Sequence, residues 1–138
     1  MSKHVAQLSI FLENRRGRLH EITQMLADAK VSIETINLVE AGDFGILRMV
    51  TNDADKTKEI LDAKGISVKI TPVIVVEIKD KVGCFNRVVS LLQHIDIHYT
   101  YSVNSHEIGA FVIKVAESEI DKAIGILERD GVIVKDAV

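Results

Sequence analysis

The stretch Asn14-Arg15-Arg16-Gly17-Arg18-Leu19 occurs a second time, in altered form, as Asp80-Lys81-Val82-Gly83-Cys84-Phe85. In each copy an alternating apolar run ends at Asn or Asp, and three residues later a glycine opens a helical pattern. Glycine allows the tight turn that joins a strand to the start of a helix. Residue numbers 17 and 83 differ by 66, as do those of Gly65 and Gly131. The chain is therefore predicted to contain one structural unit twice.

Composition limits the classes of function. The chain has 138 residues, of which 47% are hydrophobic, so two small domains at residues 1–71 and 72–138 can each bury a core. The formal net charge is −3, which opposes the electrostatic attraction that nucleic-acid binding requires. Aromatic residues make up only 4% of the chain, which leaves few platforms for base stacking. We therefore expect no nucleic-acid partner.

The single cysteine, Cys84, excludes an intramolecular disulfide and fits a reducing cytoplasm. The first four residues lead directly into an amphipathic strand rather than a signal peptide. No apolar run approaches the roughly 20 residues of a membrane span. These features predict a soluble cytoplasmic protein without a membrane partner.

The spacing of apolar residues predicts the elements of both units. Period-two alternation indicates strands, and apolar residues three and four apart, such as Leu19, Ile22 and Leu26, indicate helices. The first unit is predicted to contain strands at 5–12, 31–39, 44–51 and 66–70, and helices at 19–29 and 54–64. The second is predicted to contain strands at 73–79, 97–103, 108–115 and 132–135, helices at 83–94 and 118–130, and a hairpin at 104–107.

Each unit thus has the order βαββαβ. Right-handed crossovers place both helices on one face of an antiparallel sheet, which predicts an α+β protein made of two tandem ferredoxin-like sandwiches. Pro72 falls at the seam between the units, where a strand edge tolerates the missing N–H. Apolar residues on the helix-free face, among them Phe11, Val73 and Val75, lead us to expect a partner surface there.

The two glycine turns, with the run Val31-Ser32-Ile33-Glu34-Thr35-Ile36 that follows the first helix, resemble the ACT domain family over nearly the whole chain. Arg16 and Val82 stand where that family commonly has proline. The resemblance implies a free-standing tandem ACT protein without a catalytic domain, similar to acetolactate synthase regulatory-type proteins. It implies a regulator that binds a free amino acid where two copies meet, forms a homodimer and modulates a partner enzyme of amino-acid biosynthesis.

The chemistry of the turns suits a zwitterion. Free N–H groups at a helix start can hold a carboxylate, and the side-chain oxygen of Asn14 or Asp80 can accept from an ammonium group. Polar residues on the second strand of an adjacent unit would complete the site, and apolar residues would form the side-chain pocket. The candidate ligand-binding residues are Asn14, Arg16, Gly17, Arg18, Leu19, Thr35 and Asn37 in the first unit, and Asp80, Lys81, Val82, Gly83, Cys84, Phe85, Tyr99, Thr100 and Tyr101 in the second.

Other interpretations remain open. Asn14 and Asp80 would equally cap their own turns, and the arginines of the first turn would equally form a solvated surface. A structural oligomerisation module with vestigial sites, or a small enzyme or redox protein using Cys84, are the alternative functions. The spacing of His94 and His98 does not indicate a metal site, so we expect no catalytic residue, metal or cofactor. Asp80, Val82 and Phe85 favour the second turn as the competent site.

Overall fold

The computed structural model describes residues 3–78, 82–104 and 109–138. The chain divides into two units, one formed by Ala6–Thr71 and the other by Pro72–Val138 together with the chain start through Val5. In the described residues there are seven strands and four α-helices. They are, in chain order, β1 Val5–Glu13, α1 Arg18–Asp28, β2 Ile33–Ala41, β3 Phe44–Thr51, α2 Ala54–Ala63, β4 Val68–Ile78, α3 Cys84–Leu91, β5 Ile97–Asn104, β6 Gly109–Val115, α4 Ile120–Arg129 and β7 Val134–Lys135.

The first unit has the strand order β2-β3-β1-β4. The strands β1 and β3 are antiparallel, with Ile10 opposite Leu47 and Leu12 opposite Gly45. The strand β2 is antiparallel to β3 and lies at the end of this order. The core of the first unit is formed by apolar residues of its sheet and of its two helices. The largest fully buried members are Leu8, Ile10, Ile22, Leu26, Leu47, Met49 and Leu61.

The second unit repeats this plan, with strands β5-β6-β4 in order and β7 paired to β4. Val75 and Val76 of β4 pair with Lys135 and Val134 of β7. The core lies between the sheet and helices α3 and α4, and includes Ile74, Val88 and Leu127. The prediction of two tandem ferredoxin-like units is confirmed.

Most element bounds lie within two residues of those expected, and two differences are larger. The strands predicted on either side of Pro72 form one continuous strand, β4, because the fixed backbone angle of proline is compatible with an extended chain. The helix predicted to reach residue 94 ends at Leu91. Beyond it the N–H groups of Leu92 and Gln93 bond to carbonyls three residues back, at Val89 and Ser90, which tightens and ends the helix.

The helix-free face is apolar in part, as expected. Phe11 lies on it with 75% of its surface exposed, whereas Val73 and Val75 are fully buried. A single exposed phenylalanine is ordinary for a protein surface, so a partner surface on this face remains a prediction.

Candidate ligand site

The first glycine turn has the strand-turn-helix geometry that the sequence predicts. Gly17 precedes α1 with φ 83°, a left-handed conformation that favours glycine. The first intrahelical hydrogen bond runs from the Glu21 N–H to the Gly17 carbonyl at 3.0 Å, and the Arg18 N–H bonds to the Arg15 carbonyl at 3.1 Å. The N–H groups of Leu19 and His20 precede the first intrahelical bond and lie at the positive end of the helix dipole.

A cavity of about 440 Å³ opens beside this turn, within the first unit. It is bounded by the end of β1, the turn, the first residues of α1, the end of β2 and the start of β3. Its lining combines two carboxylates, two guanidinium groups, one amide and several apolar side chains. The lining residues are Leu12, Glu13, Asn14, Arg15, Arg18, Leu19, Leu38, Val39, Glu40, Phe44 and Gly45.

The charged groups at the turn form a network centred on Glu21. Arg15 donates two hydrogen bonds to the Glu21 carboxylate, with N–O distances of 3.0 and 3.1 Å. Arg18 Nη1 donates a third at 3.1 Å. These bonds, chiefly the pair from Arg15, lower the pKa of Glu21 below its usual value. The hydrogen bond to Glu21 in turn raises the pKa of Arg15, and Arg18 shares the same carboxylate beside the cavity.

The two carboxylates of the cavity differ in their surroundings. Glu13 Oε2 lies 3.9 Å from Arg15 Nε, a loose ion pair. Glu40 forms no ion pair within the described residues. Glu40 is therefore the lining carboxylate that is available to an incoming cation.

Several apolar side chains of the lining are unusually exposed. Leu38 and Phe44 are 49% and 51% exposed, and Val39 and Leu19 are 41% and 37% exposed. They come from the end of β2, the start of β3 and the start of α1. An apolar group bound in the cavity would remove this surface from water.

The remaining first-unit candidates do not line this cavity. In the pairing of β2 with β3, Leu38 lies opposite the core residue Leu47, so Asn37 points to the other face of the sheet. Thr35 is buried, and its Oγ1 accepts a hydrogen bond from the Val50 N–H at 3.2 Å. Arg16 is exposed on the turn. Any role of Thr35 and Asn37 in binding therefore belongs to that other face.

The described part of the second turn, residues 82–85, resembles the first turn in its glycine conformation but carries different side chains. Gly83 has φ 87° and precedes α3, and Val82 is fully exposed. The ring of Phe85 packs on Phe111 with centroids 4.4 Å apart. Cys84 borders a crevice of about 70 Å³. Asp80 and Lys81, on which the preference for this turn depends, lie outside the described residues.

The tyrosines of β5 lie on one face of that strand. The rings of Tyr99 and Tyr101 are nearly parallel, with centroids 6.5 Å apart. Tyr101 pairs with Val112, whereas Thr100 pairs with the core residue Ile113 and points the other way. The two rings therefore share a surface that Thr100 does not reach.

The sequence alone did not point to seven of the lining side chains, namely Leu12, Glu13, Arg15, Leu38, Val39, Glu40 and Phe44. The register explains their position, because Glu13 pairs with Phe44 on β3, and Glu40 pairs with Gly45. The β2-β3 hairpin thereby brings the end of β2 beside the end of β1. A sequence signal did exist, since the hairpin glycine at position 42 fixes which residues of β2 and β3 face each other.

Comparison with known proteins identifies the fold family. The family model described as an ACT domain pair matches residues 3–137. A solved protein from Bacteroides thetaiotaomicron is 32% identical with a TM-score of 0.88, over 96% of this chain and 92% of that one. The ligand-free regulatory subunit of aspartate kinase from Thermus thermophilus is 18% identical with a TM-score of 0.62, over 94% of each chain. The aspartokinase alpha and beta subunits are 21% identical with a TM-score of 0.59, over 90% of each chain.

These two kinase-related structures share the fold with this chain. No curated protein sequence matches it. Among the helices of the described segments, none has the length and apolar character needed to cross a lipid bilayer.

Proposed function

This chain belongs to the ACT domain pair family, and we propose that it is a non-enzymatic cytoplasmic regulator that binds a free amino acid and modulates a partner enzyme of amino-acid metabolism in trans. The observation that carries this proposal is the cavity beside the first glycine turn. Its lining offers a cation, an anion and an apolar surface within about 440 Å³, which are the three groups that an amino acid requires of its site.

The α-carboxylate of the ligand is proposed to bind at the start of α1. There it would accept hydrogen bonds from the N–H groups of Leu19 and His20, at the positive end of the helix dipole. The Arg18 guanidinium has five N–H donors, and its contact with Glu21 uses one nitrogen. The remaining donors are available to the same carboxylate.

The α-ammonium group is proposed to bind toward Glu40 and Asn14. Glu40 supplies an unpaired negative charge at the end of β2, and the Asn14 side chain supplies a neutral acceptor on the turn. A charge pair shielded from bulk water is stronger than an exposed one. Ligand binding would thus link the turn to β2.

A second copy of the chain is proposed to cover the site. The strand β2 pairs with β3 on one side and lies at the end of the strand order, so its outer backbone groups are available for pairing. Ile36 and Leu38 on this strand are 48% and 49% exposed. A ligand between copies would shift the dimerisation equilibrium, and this linkage is a means of regulating a partner enzyme.

The fold of the structural neighbours supports a regulatory role. The chain covers 94% of a protein named as the regulatory subunit of aspartate kinase. We therefore propose that the partner enzyme is a separate chain whose activity follows the ligand-bound state.

A thermal-shift panel of the twenty amino acids tests the proposed function. The protein is first unfolded, dialysed and refolded, so that no co-purified ligand remains. We expect a subset of amino acids to raise the melting temperature in proportion to the logarithm of their concentration, because they bind only the folded state. Unchanged melting temperatures across the panel at millimolar concentrations would contradict amino-acid binding and favour a structural module with vestigial sites.

A further inference from the structure

We propose that the ligand is an amino acid with an uncharged apolar side chain, an inference that rests on the proposed function and specifies its ligand. Exposed apolar surface and unpaired charge are distributed around the cavity of the first unit in the way that such a ligand requires.

Exposed apolar side chains are concentrated at this cavity. Of the eight large apolar side chains that are exposed in the described residues, four line it, namely Leu19, Leu38, Val39 and Phe44. Scattered exposed apolar residues are normal, whereas a cluster around a concave surface indicates a binding site. Leu19 and Leu38 supply apolar surface against which an apolar ligand side chain would pack, whereas the alternation that turns Asn37 away from Leu38 also turns the Val39 side chain away.

The two guanidinium groups that line the cavity already form ion pairs with protein carboxylates. The Arg15 guanidinium donates two bonds to Glu21 and also lies near Glu13. Arg18 is bonded to the same Glu21 carboxylate through one nitrogen. The remaining donors of Arg18 suffice for one α-carboxylate, and a second carboxylate on the ligand side chain would meet no further unpaired cation among the described residues that line the cavity. Acidic amino acids are therefore disfavoured.

The negative charges are limited in the same way. Glu13 is already within 3.9 Å of Arg15, which leaves Glu40 as the unpaired lining carboxylate among the described residues. Glu40 is assigned to the α-ammonium group. A basic side chain would then place its charge against Leu38 and Phe44, where desolvation without a partner is unfavourable. The charge inventory matches one zwitterion and an apolar side chain.

The dependence of binding affinity on the length of the ligand's side chain tests this inference. Isothermal titration of the full chain, in ligand-free form, would use L-alanine, L-2-aminobutyrate, L-norvaline and L-norleucine. L-Glutamate and L-lysine provide charged ligands of similar length. Burial of each further methylene against the apolar wall is expected to tighten binding about fourfold. Glutamate and lysine are expected to bind at least about tenfold more weakly than norleucine.

A matched pair of variants locates the apolar wall. Leu38→Ser is expected to reduce the gain per methylene, since it removes part of that wall. Phe11→Ser is the control, because Phe11 is 75% exposed in the same unit but does not line the cavity. Circular dichroism of both variants checks that they fold. We expect both to fold because both wild-type side chains are exposed.

The outcomes separate the inference from the proposed function. Tighter binding of lysine or glutamate than of norleucine would overturn the apolar-ligand inference and leave amino-acid binding standing. An equal loss in both serine variants would overturn the location of the apolar wall. Absence of saturable binding by every ligand in the series, together with no response in the thermal-shift panel, would defeat the proposed function itself.

Discussion

Arg18 and Glu21 lie one helical turn apart on α1, and Arg18 Nη1 is 3.1 Å from Glu21 Oε2. The same carboxylate binds Arg15 through two hydrogen bonds, so one acidic side chain holds two cations at the cavity. The corresponding position of the second unit, 66 residues later, is Arg87. Arg87 instead binds the side chain of Asp130 at 2.7 Å, and also its carbonyl. The two units thus share a backbone plan but differ in the ion pairs formed by the first turns of α1 and α3.

Removal of the Arg18 charge is predicted to weaken ligand binding. Charge-assisted hydrogen bonds contribute about 1.5–3 kcal/mol each, so Arg18→Gln should raise the dissociation constant roughly ten- to hundredfold. Isothermal titration with the ligand that responds best in the thermal-shift panel measures the change. Arg16→Gln is the control, since Arg16 is exposed and does not line the cavity. Equal binding by the two variants would remove Arg18 from the site.

Glu21 is predicted to act as a positioning residue for Arg15 and Arg18, with a pH-dependent effect on stability. Because these arginines lower its pKa in the folded state, the stabilisation is present above the ordinary glutamate value of about 4.3 and is lost as pH falls through the lowered folded pKa. The contribution is small, since the pair is exposed and screened by solvent. Glu21→Gln should therefore unfold at lower urea concentration than wild type near neutral pH, and the difference should shrink in acid.

The control for that measurement is Glu59→Gln on α2, where the carboxylate is exposed and has no ion pair among the described residues. It should follow wild type through the same pH range. A difference between wild type and Glu21→Gln that stays constant from neutral to acidic pH would show that the stabilisation does not come from the Arg15 and Arg18 pairs.

The left-handed turn is predicted to require glycine for backbone reasons alone. A Cβ at Gly17 would meet no atom within 4 Å, so Gly17→Ala introduces strain at φ 83° without a steric clash. The expected loss in the free energy of unfolding is about 1–2 kcal/mol, measurable by urea denaturation. Gly125→Ala in the middle of α4 should have the opposite sign, a gain of up to about 1 kcal/mol, because alanine is the better helix former. A neutral Gly17→Ala would argue against the left-handed turn.

The start of α2 depends on a side-chain cap. Asp53 accepts a hydrogen bond from the Lys56 N–H at 3.1 Å, and loss of such a cap costs about 1 kcal/mol. Asp53→Ala is predicted to lower the free energy of unfolding by this amount, and Asp53→Asn to retain most of it. Thermal or urea denaturation of the two variants measures the change in stability. A similar loss of stability in both variants would point to the charge of Asp53 rather than to its cap.

Local patterns were sufficient to predict the repeated fold. Alternation in β1 and the spacing of Ile22 and Leu26 on α1 both follow from burial on one face, which a single sequence records directly. Gly17 and Gly83 mark the turns because each adopts a positive φ. The end of α3 was less predictable, since its last bonds shift to i−3 partners through local geometry that has no strong residue signature.

The candidate site was predictable only in part. Asn14, Arg18 and Leu19 adjoin the turn in sequence and do line the cavity. Glu40 and Phe44 reach it through the register of the β2-β3 hairpin, a long-range relationship that alternation alone does not give. Thr35 and Asn37 were selected as polar strand residues, but their alternation with Leu38 places them on the opposite face. The binding role assigned to Asp80 in the second turn remains a prediction.

A crystal structure of the chain grown with saturating L-norleucine tests the central claim most directly. We predict ligand density in the cavity beside Gly17, with the α-carboxylate at hydrogen-bond distance from Arg18 and from the first N–H groups of α1, and with the side chain against Leu38 and Phe44. Density for the amino acid only beside Gly83, or a cavity beside Gly17 that contains water alone, would contradict the assignment of the site to the first unit.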